Sequence, residues 1–299
     1  MDYSLGIDLG ASCIKAMAIN ASGQSQSQKN LPFDPVVPMD WAEKVRRVYW
    51  DVQGELGRPP DAVGISAPGL AAVDGRSVAC MPGRLQGLEG LDWTKHLGSV
   101  KPVPVLNDAH AALLGEAWIG AARGFKHAIL LTLGTGVGGA FMTERMLVRG
   151  RCGRAGHFGH ATVDMSGAPD ITNMPGSLED AIGNHTLSKR SNGRFTTTKD
   201  LVEAHLGGDA EATNVWLRSV RALACSISSF INIVDPEAVV LGGGISKAGP
   251  ALFNPLQDYL DEMEWRPTRH RTRILPAMLG EFAGAVGAAW NAVEAPKLS

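Results

Sequence analysis

Apolar residues along this chain alternate between short unbroken runs, closed by glycine, aspartate or proline, and longer stretches with helical spacing. Residues 3–9 form the first run, ending in Asp8-Leu9-Gly10-Ala11-Ser12, and residues 14–19 form the second. Two strands joined by a tight glycine turn account for both. Asn20-Ala21-Ser22-Gly23 predicts a further turn. Residues 39–56 carry Trp41, Val45, Val48, Tyr49, Val52 and Leu56 at spacings near helical periodicity and predict an amphipathic helix, stopped by Gly57 and Pro59-Pro60. Residues 62–66 and 103–106 predict buried strands, the second leading into a helix over 107–120.

A second round opens at residue 128, with a strand over 128–133, the turn Gly134-Thr135-Gly136 and a strand through Phe141. Residues 150–185, rich in Gly, His, Pro and Asp, predict a functional loop region. Beyond it come a long helix over 214–234 ended by Asp235-Pro236, a strand over 238–241 running into Gly242-Gly243-Gly244, a helix over 250–263, a strand over 273–279 and a closing helix over 282–293. Strands alternating with helices mean an α/β fold. The two halves open alike.

Composition narrows the function without naming it. The chain of 299 residues has room for two domains, and 44% apolar with 19% charged residues is ordinary globular composition. A net charge of −2, with Lys and Arg scattered, offers no electrostatic footprint for nucleic acid or an anionic membrane surface. A small, locally recognised ligand fits better. The four cysteines, Cys13, Cys80, Cys152 and Cys225, form no C-x-x-C pair and read as buried small apolar residues in a reducing compartment. The first residues lack the charged and apolar regions of a secretory signal, and no run approaches the ~18 consecutive apolar residues of a membrane helix. The expectation is a soluble, cytoplasmic protein.

Glycine in a strand-turn-strand unit lets backbone N–H groups approach a phosphate, and a neighbouring hydroxyl adds a donor. Gly10-Ala11-Ser12 and Gly134-Thr135-Gly136 are both such turns; a plain hairpin explains either alone. With Gly242-Gly243-Gly244 after a third strand, they point together to a nucleotide site. Neither turn matches the P-loop or the Rossmann fingerprint.

Gly6-Ile7-Asp8-Leu9-Gly10, Ala67-Pro68-Gly69, Leu106-Asn107-Asp108-Ala109, Leu133-Gly134-Thr135-Gly136, Gly159-His160, Pro175-Gly176-Ser177-Leu178-Glu179 and Leu241-Gly242-Gly243-Gly244-Ile245 stand in one order and spacing. In this the chain resembles, over nearly its whole length, the ROK family of bacterial sugar kinases and sugar-responsive repressors. The resemblance implies a two-lobed, actin-like (ribonuclease H-like) α/β fold, each lobe a mixed sheet flanked by helices, with ATP and sugar between the lobes. It places a small lobe at 1–108, joined by the C-terminal helix 282–299, and a large lobe at 109–281. It assigns Gly10, Ala11, Ser12, Gly134, Thr135 and Gly136 to the phosphates and Gly242, Gly243 and Gly244 to the nucleoside.

A sugar hydroxyl needs a carboxylate to take its proton as the phosphoryl group transfers. Asp108 follows a buried strand and stands at a helix start, where exposed N–H groups would keep it ionised. An ordinary N-cap is the other reading of the residues alone; the resemblance implies the base. It likewise implies that Asn107, Gly69, His157, His160 and Glu179 bind the sugar and that Asp8 holds Mg²⁺ through water, where a turn-forming Asp is the alternative.

Three departures stand out. The family's first turn commonly reads Gly-Gly-Thr-Lys; here it is Gly10-Ala11-Ser12-Cys13, with the Lys charge absent and Lys15 as a partial substitute. The motif commonly Glu-x-Gly-His is His157-Phe158-Gly159-His160, so an acceptor-only carboxylate has become an imidazole and glucose specificity does not transfer. The family's zinc site pairs its His with three cysteines; at those offsets from His160 stand Asp170, Thr172 and Ser177. No zinc is expected, and loop 165–178 is expected to be held by hydrogen bonds.

The sequence thus predicts an ATP- and Mg²⁺-dependent sugar kinase, assembled as a homodimer, the default for oligomers. Polyphosphate is an alternative donor, and a degenerate sugar-binding or regulatory protein without turnover is the alternative function. Repressors of the family carry an additional N-terminal helix-turn-helix, for which a first strand near Tyr3 leaves no room.

Overall fold

A computed structural model describes residues 2–294. Strands β1 (Ser4–Leu9) and β2 (Cys13–Ile19) form the expected hairpin, followed by β3 (Ser25–Pro32), helix α1 (Asp40–Leu56) and β4 (Ala62–Ala67). A small hairpin, β5 (Leu70–Ala71) and β6 (Val78–Cys80), and the short α2 (Trp93–Leu97) lead to β7 (Val105–Asn107) and α3 (Asp108–Ile119). The second round is β8 (Ala128–Leu133), β9 (Val137–Thr143) and β10 (Met146–Leu147). The expected loop region contains α4 (Leu178–Ile182), and α5 (Leu187–Arg190) and α6 (Thr198–Leu206) follow. The chain continues through α7 (Ala210–Val234), β11 (Ala238–Gly242), α8 (Pro250–Met263), β12 (Arg273–Pro276) and α9 (Ala283–Glu294). Of the predicted segment 282–299, residues 295–299 lie outside the described residues.

The chain divides into two compact units: residues 1–124, 147–155 and 278–299, and residues 125–146 and 156–277. The sheet of the first has the order β3-β2-β1-β4-β7 and that of the second β10-β9-β8-β11-β12. In each, a hairpin of antiparallel strands is continued by two parallel ones. The boundary after Gly124, where 108 was expected, assigns α3 to the first unit, and α9 packs along it there.

That packing is unusually close because glycine stands at each crossing. A Cβ on Gly6 of β1 would lie 1.7 Å from the Ala285 carbonyl oxygen, and one on Gly64 of β4 2.1 Å from that of Ala288. On the other side of α9, a Cβ on Gly287 would lie 1.7 Å from the Ala111 carbonyl oxygen of α3. Backbone meets backbone, and no side chain larger than hydrogen fits. Glu116, fully buried in α3, accepts hydrogen bonds from the backbone N–H of Ala121 (2.6 Å), Met278 (2.9 Å) and Leu279 (2.8 Å). One carboxylate thereby satisfies donors at two of the places where the chain passes between units.

The far face of the first sheet is covered by α1, whose Trp41, Val45, Val48 and Val52 are buried, with Trp93 of α2 edge-on to Trp41. In the second unit, α7 supplies Trp216, Val220, Leu223 and Ile227 to the core. Its apolar stretch is long enough to cross a membrane by length and composition alone; half of it is buried within the protein, and it packs on α4, α6 and α8. The cysteines correct an expectation: Cys80, Cys152 and Cys225 are exposed and Cys13 half-buried, because they stand at a strand edge, in a turn and on the outer face of α7.

Replacing Gly287 by Ala is expected to destabilise the protein by about 3 kcal/mol, because neither backbone can retreat. Gly54→Ala, at an exposed position of α1 with nothing within 4 Å, is expected to stabilise it by roughly 0.5–1 kcal/mol. Urea midpoints of the two variants measure both; equal midpoints would remove the close approach from the explanation of this fold.

Candidate active site

Asp108 is the first residue of α3, and the N-cap is its neighbour Asn107, whose side-chain oxygen accepts from the N–H of Ala109 (3.0 Å) and His110 (3.3 Å). Asn107 is buried and its amide donates to the Gly69 carbonyl (2.9 Å), while Gly69 holds φ at 87° against the backbone of Cys80. The capping reading of Asp108 is therefore ruled out, and its carboxylate, which accepts from the Ala109 N–H (2.8 Å), reaches solvent. Surrounding protein atoms desolvate it and raise its pKa above 3.8; the Ala109 N–H, Asn107 and the Arg84 charge oppose this without reversing it. The helix N-terminus alone does not keep it as acidic as the sequence led one to expect.

Asp8, near the end of β1, accepts a short hydrogen bond from the Ser66 hydroxyl. Desolvation, chiefly, and the charge of Asp108 push its pKa up to about 6, against the Ser66 hydrogen bond and the charge of Lys15. Lys15 stands directly opposite Asp8 in the β1–β2 register and pairs with Glu281 (3.3 Å). Gly10 closes the turn by donating to the Cys13 carbonyl (3.0 Å), and Ala11 and Ser12 are exposed beyond it. The Cys13 thiol is directed to the Asn30 side chain. A divalent cation near Asp8 would relieve a carboxylate strained by burial and by like charge, so the residues fit a water-bridged Mg²⁺.

In the second unit, Gly134 and Thr135 line a cavity of about 770 Å³ together with Gly244, Asn184, Thr198, Lys199 and Lys247. The turn is clamped from the segment after α4: Asn184 N–H donates to the Gly134 carbonyl (3.0 Å) and His185 N–H to that of Thr135 (3.0 Å). Gly243, at φ 84°, lies against the Leu133 backbone and does not line the cavity, nor does Gly242, which ends β11. Gly136 sits beneath Glu179, whose carboxylate accepts from the Val137 N–H (2.8 Å). Thus Glu179, expected at the sugar, braces the Gly134-Thr135-Gly136 turn.

His157 precedes and His160 ends the short 3₁₀ turn Phe158–His160, with their rings nearly parallel, 13° apart, and centroids 6.4 Å apart. His160 Nδ1 lies 2.7 Å from Asp170 Oδ2. The other oxygen of Asp170 accepts from the Thr172 N–H (2.8 Å), the Thr172 hydroxyl (2.7 Å) and the Met174 N–H (3.0 Å). Ser177 caps α4 by accepting from the Asp180 N–H. Hydrogen bonds hold this loop, and the set His160, Asp170, Thr172 and Ser177 does not fit zinc: it has no thiolate, and its oxygens are already engaged.

Sequence reasoning missed Arg84, Lys199, Lys247 and Glu116. Only the last had a visible signal, a single Glu in the otherwise apolar second half of α3.

Two sheets of identical order, each opening with strand, glycine turn and strand, define the actin-like class of α/β proteins. Within that class the chain belongs to the ROK family, whose profile matches residues 4–295. A glucokinase of Thermotoga maritima is 30% identical over 306 residues, with 95% of both chains covered. The crystal structure of a ROK hexokinase from Thermus thermophilus matches with a TM-score of 0.83 at 26% identity, over 99% of this chain and 100% of that one. A ROK family glucokinase from Streptomyces griseus, solved in complex with glucose and AMPPNP, matches with a TM-score of 0.78 at 28% identity, over 98% and 99%.

The raised pKa of Asp8 links to stability with a definite sign. Its contribution to folding is complete below 3.8, where both states are protonated, and is lost as pH rises through about 6. Asp8→Asn is therefore expected to melt above the parent well above that pH, with the gap closing in acid. A gap independent of pH, followed by calorimetry, would contradict the strain assigned to this carboxylate.

Proposed function

We propose that this protein is a sugar kinase that moves the γ-phosphoryl group of ATP to a hydroxyl of a hexose or hexose derivative, with Asp108 as the general base. The observation that carries the reading is the carboxylate of Asp108, released from capping by Asn107, open to solvent and raised in pKa. Family membership, a glucokinase relative and a neighbour solved with glucose and AMPPNP support it.

In this reading Asn107, Gly69, His157, His160 and Glu179 bind the sugar, and the acceptor hydroxyl donates its hydrogen bond to Asp108. As the hydroxyl oxygen bonds to the γ-phosphorus, its proton passes to Asp108 and the bond to the bridging oxygen of ADP breaks. A raised pKa suits this role, since a base closer to neutrality holds the proton better once it has it. Gly10, Ala11, Ser12, Gly134, Thr135 and Gly136 receive the phosphates, and Gly242, Gly243 and Gly244 form the turn at the nucleoside, Gly244 by lining the cavity and Gly243 by letting the chain turn against Leu133. Lys15, across from Asp8, takes over the charge that Cys13 does not carry. Mg²⁺, held through water by Asp8, would neutralise phosphate oxygens. Because the donor is ATP, the cytoplasm is the compartment proposed.

A coupled assay of ADP release across a hexose panel tests the proposal. Asp108→Asn is expected to lower kcat by roughly 10²–10⁴-fold with sugar binding retained. Lys15→Ala is expected to raise KM for ATP more than it lowers kcat. ADP release with none of the sugars, despite measurable sugar binding, would instead favour the sugar-binding protein without turnover.

A further inference from the structure

The loop that follows His160 turns on one side chain. The Asp170 side chain is 1% exposed, yet both its oxygens have donors, and its partner His160 keeps 21% of its side chain exposed. Burial disfavours the charge of Asp170, but hydrogen bonds from His160, Thr172 and Met174 outweigh it and hold the carboxyl well below the usual carboxylate range. An ionised carboxylate only accepts hydrogen bonds. The 2.7 Å contact therefore requires a proton on Nδ1 of His160.

We propose that Asp170 is a positioning residue that fixes neutral His160 as the Nδ1–H tautomer, so that Nε2 meets the ligand as a hydrogen-bond acceptor. A metal ion on Nδ1 would do the opposite, leaving the proton on Nε2 and making that nitrogen a donor. Resting on the sugar-kinase reading, this narrows the substrate: the group that His160 touches is a free hydroxyl, which can donate, and not the carbonyl of an acylated position, which cannot. The loop geometry gives the pair its direction. Oδ1 of Asp170 is committed to three donors of residues 172 and 174, so only Oδ2 is available to the imidazole.

The same commitment predicts what Asp170→Asn does. The amide oxygen stays with Thr172 and Met174, and the amide NH₂ turns to His160, where it can only donate; Nδ1 must then accept and the proton moves to Nε2. Nitrogen NMR of the full-length, histidine-labelled protein, at a pH where the ring is neutral and with His160→Gln for assignment, reads the tautomer directly. The expected result is an unprotonated Nε2 in the parent and a protonated Nε2 in Asp170→Asn, together with a KM for the sugar raised about tenfold and a smaller change in kcat. A parent ring protonated at Nε2, a metal-shifted Nδ1, or a tautomer unchanged in the variant would each overturn the proposal. The parent spectrum decides even if Asp170→Asn does not fold. Absence of kinase activity in the parent would count against the sugar-kinase reading instead, leaving the tautomer measurement intact.

Discussion

The contact of α9 with β1, β4 and α3 is the constraint on which the first unit depends. Three glycines allow three backbones to approach one helix more closely than any side chain permits. Asp8 lies near the end of β1 and Asp108 begins α3, so the backbone positions of the two carboxylates are set by this packing. Even Gly284, at the start of α9, leaves room for the Asp8 carboxylate and the Ser66 hydroxyl. Glu116 serves the same end by binding the N–H groups that lead into α9.

Placing two acids within reach of each other is unfavourable, and the protein retains that strain. Both carboxylates have raised pKa values, Asp8 in part through the charge of Asp108. Structural carboxylates elsewhere in the chain move the other way: Asp92, Asp209 and Asp261 are lowered, Asp92 by a backbone N–H and the others by arginine. Residues raised in pKa and placed beside one another are where catalytic function concentrates. The second unit shows the complementary device, a glycine turn made rigid by neighbours, with the carbonyls of Gly134 and Thr135 bound by the segment after α4 and Gly136 covered by Glu179.

Sheet strands β1, β2, β4, β8 and β11 were legible because each is a buried apolar run with a turn residue at its end. Strand β3, Ser-Gln-Ser-Gln-Lys-Asn-Leu-Pro, was not: it is a polar edge strand held by pairing with β2, and its one buried residue is Ser27. The short helices after residue 177 escaped because a turn or two of helix has no period to read, and α7 begins four residues early because Asp209 caps a stretch without large apolar residues. At the candidate site, motif positions such as Asp8, Asp108 and Gly134 could be named from the sequence, whereas the environments that tune them could not. The Asn107 cap, the Asn184 and His185 clamp and the covering of Gly136 by Glu179 depend on tertiary neighbours. The His160–Asp170 pair lay between these cases, since the residues at those offsets were identified but their mutual hydrogen bond was not.

The central claim is that the Asp108 carboxylate takes the proton of a sugar hydroxyl. A crystal structure of the protein with a phosphorylatable sugar and a non-hydrolysable ATP analogue tests it most directly. One oxygen of Asp108 should lie roughly 2.6–3.2 Å from the hydroxyl that faces the terminal phosphate. A sugar whose nearest hydroxyl is served by a different side chain, with Asp108 turned toward solvent, would contradict it.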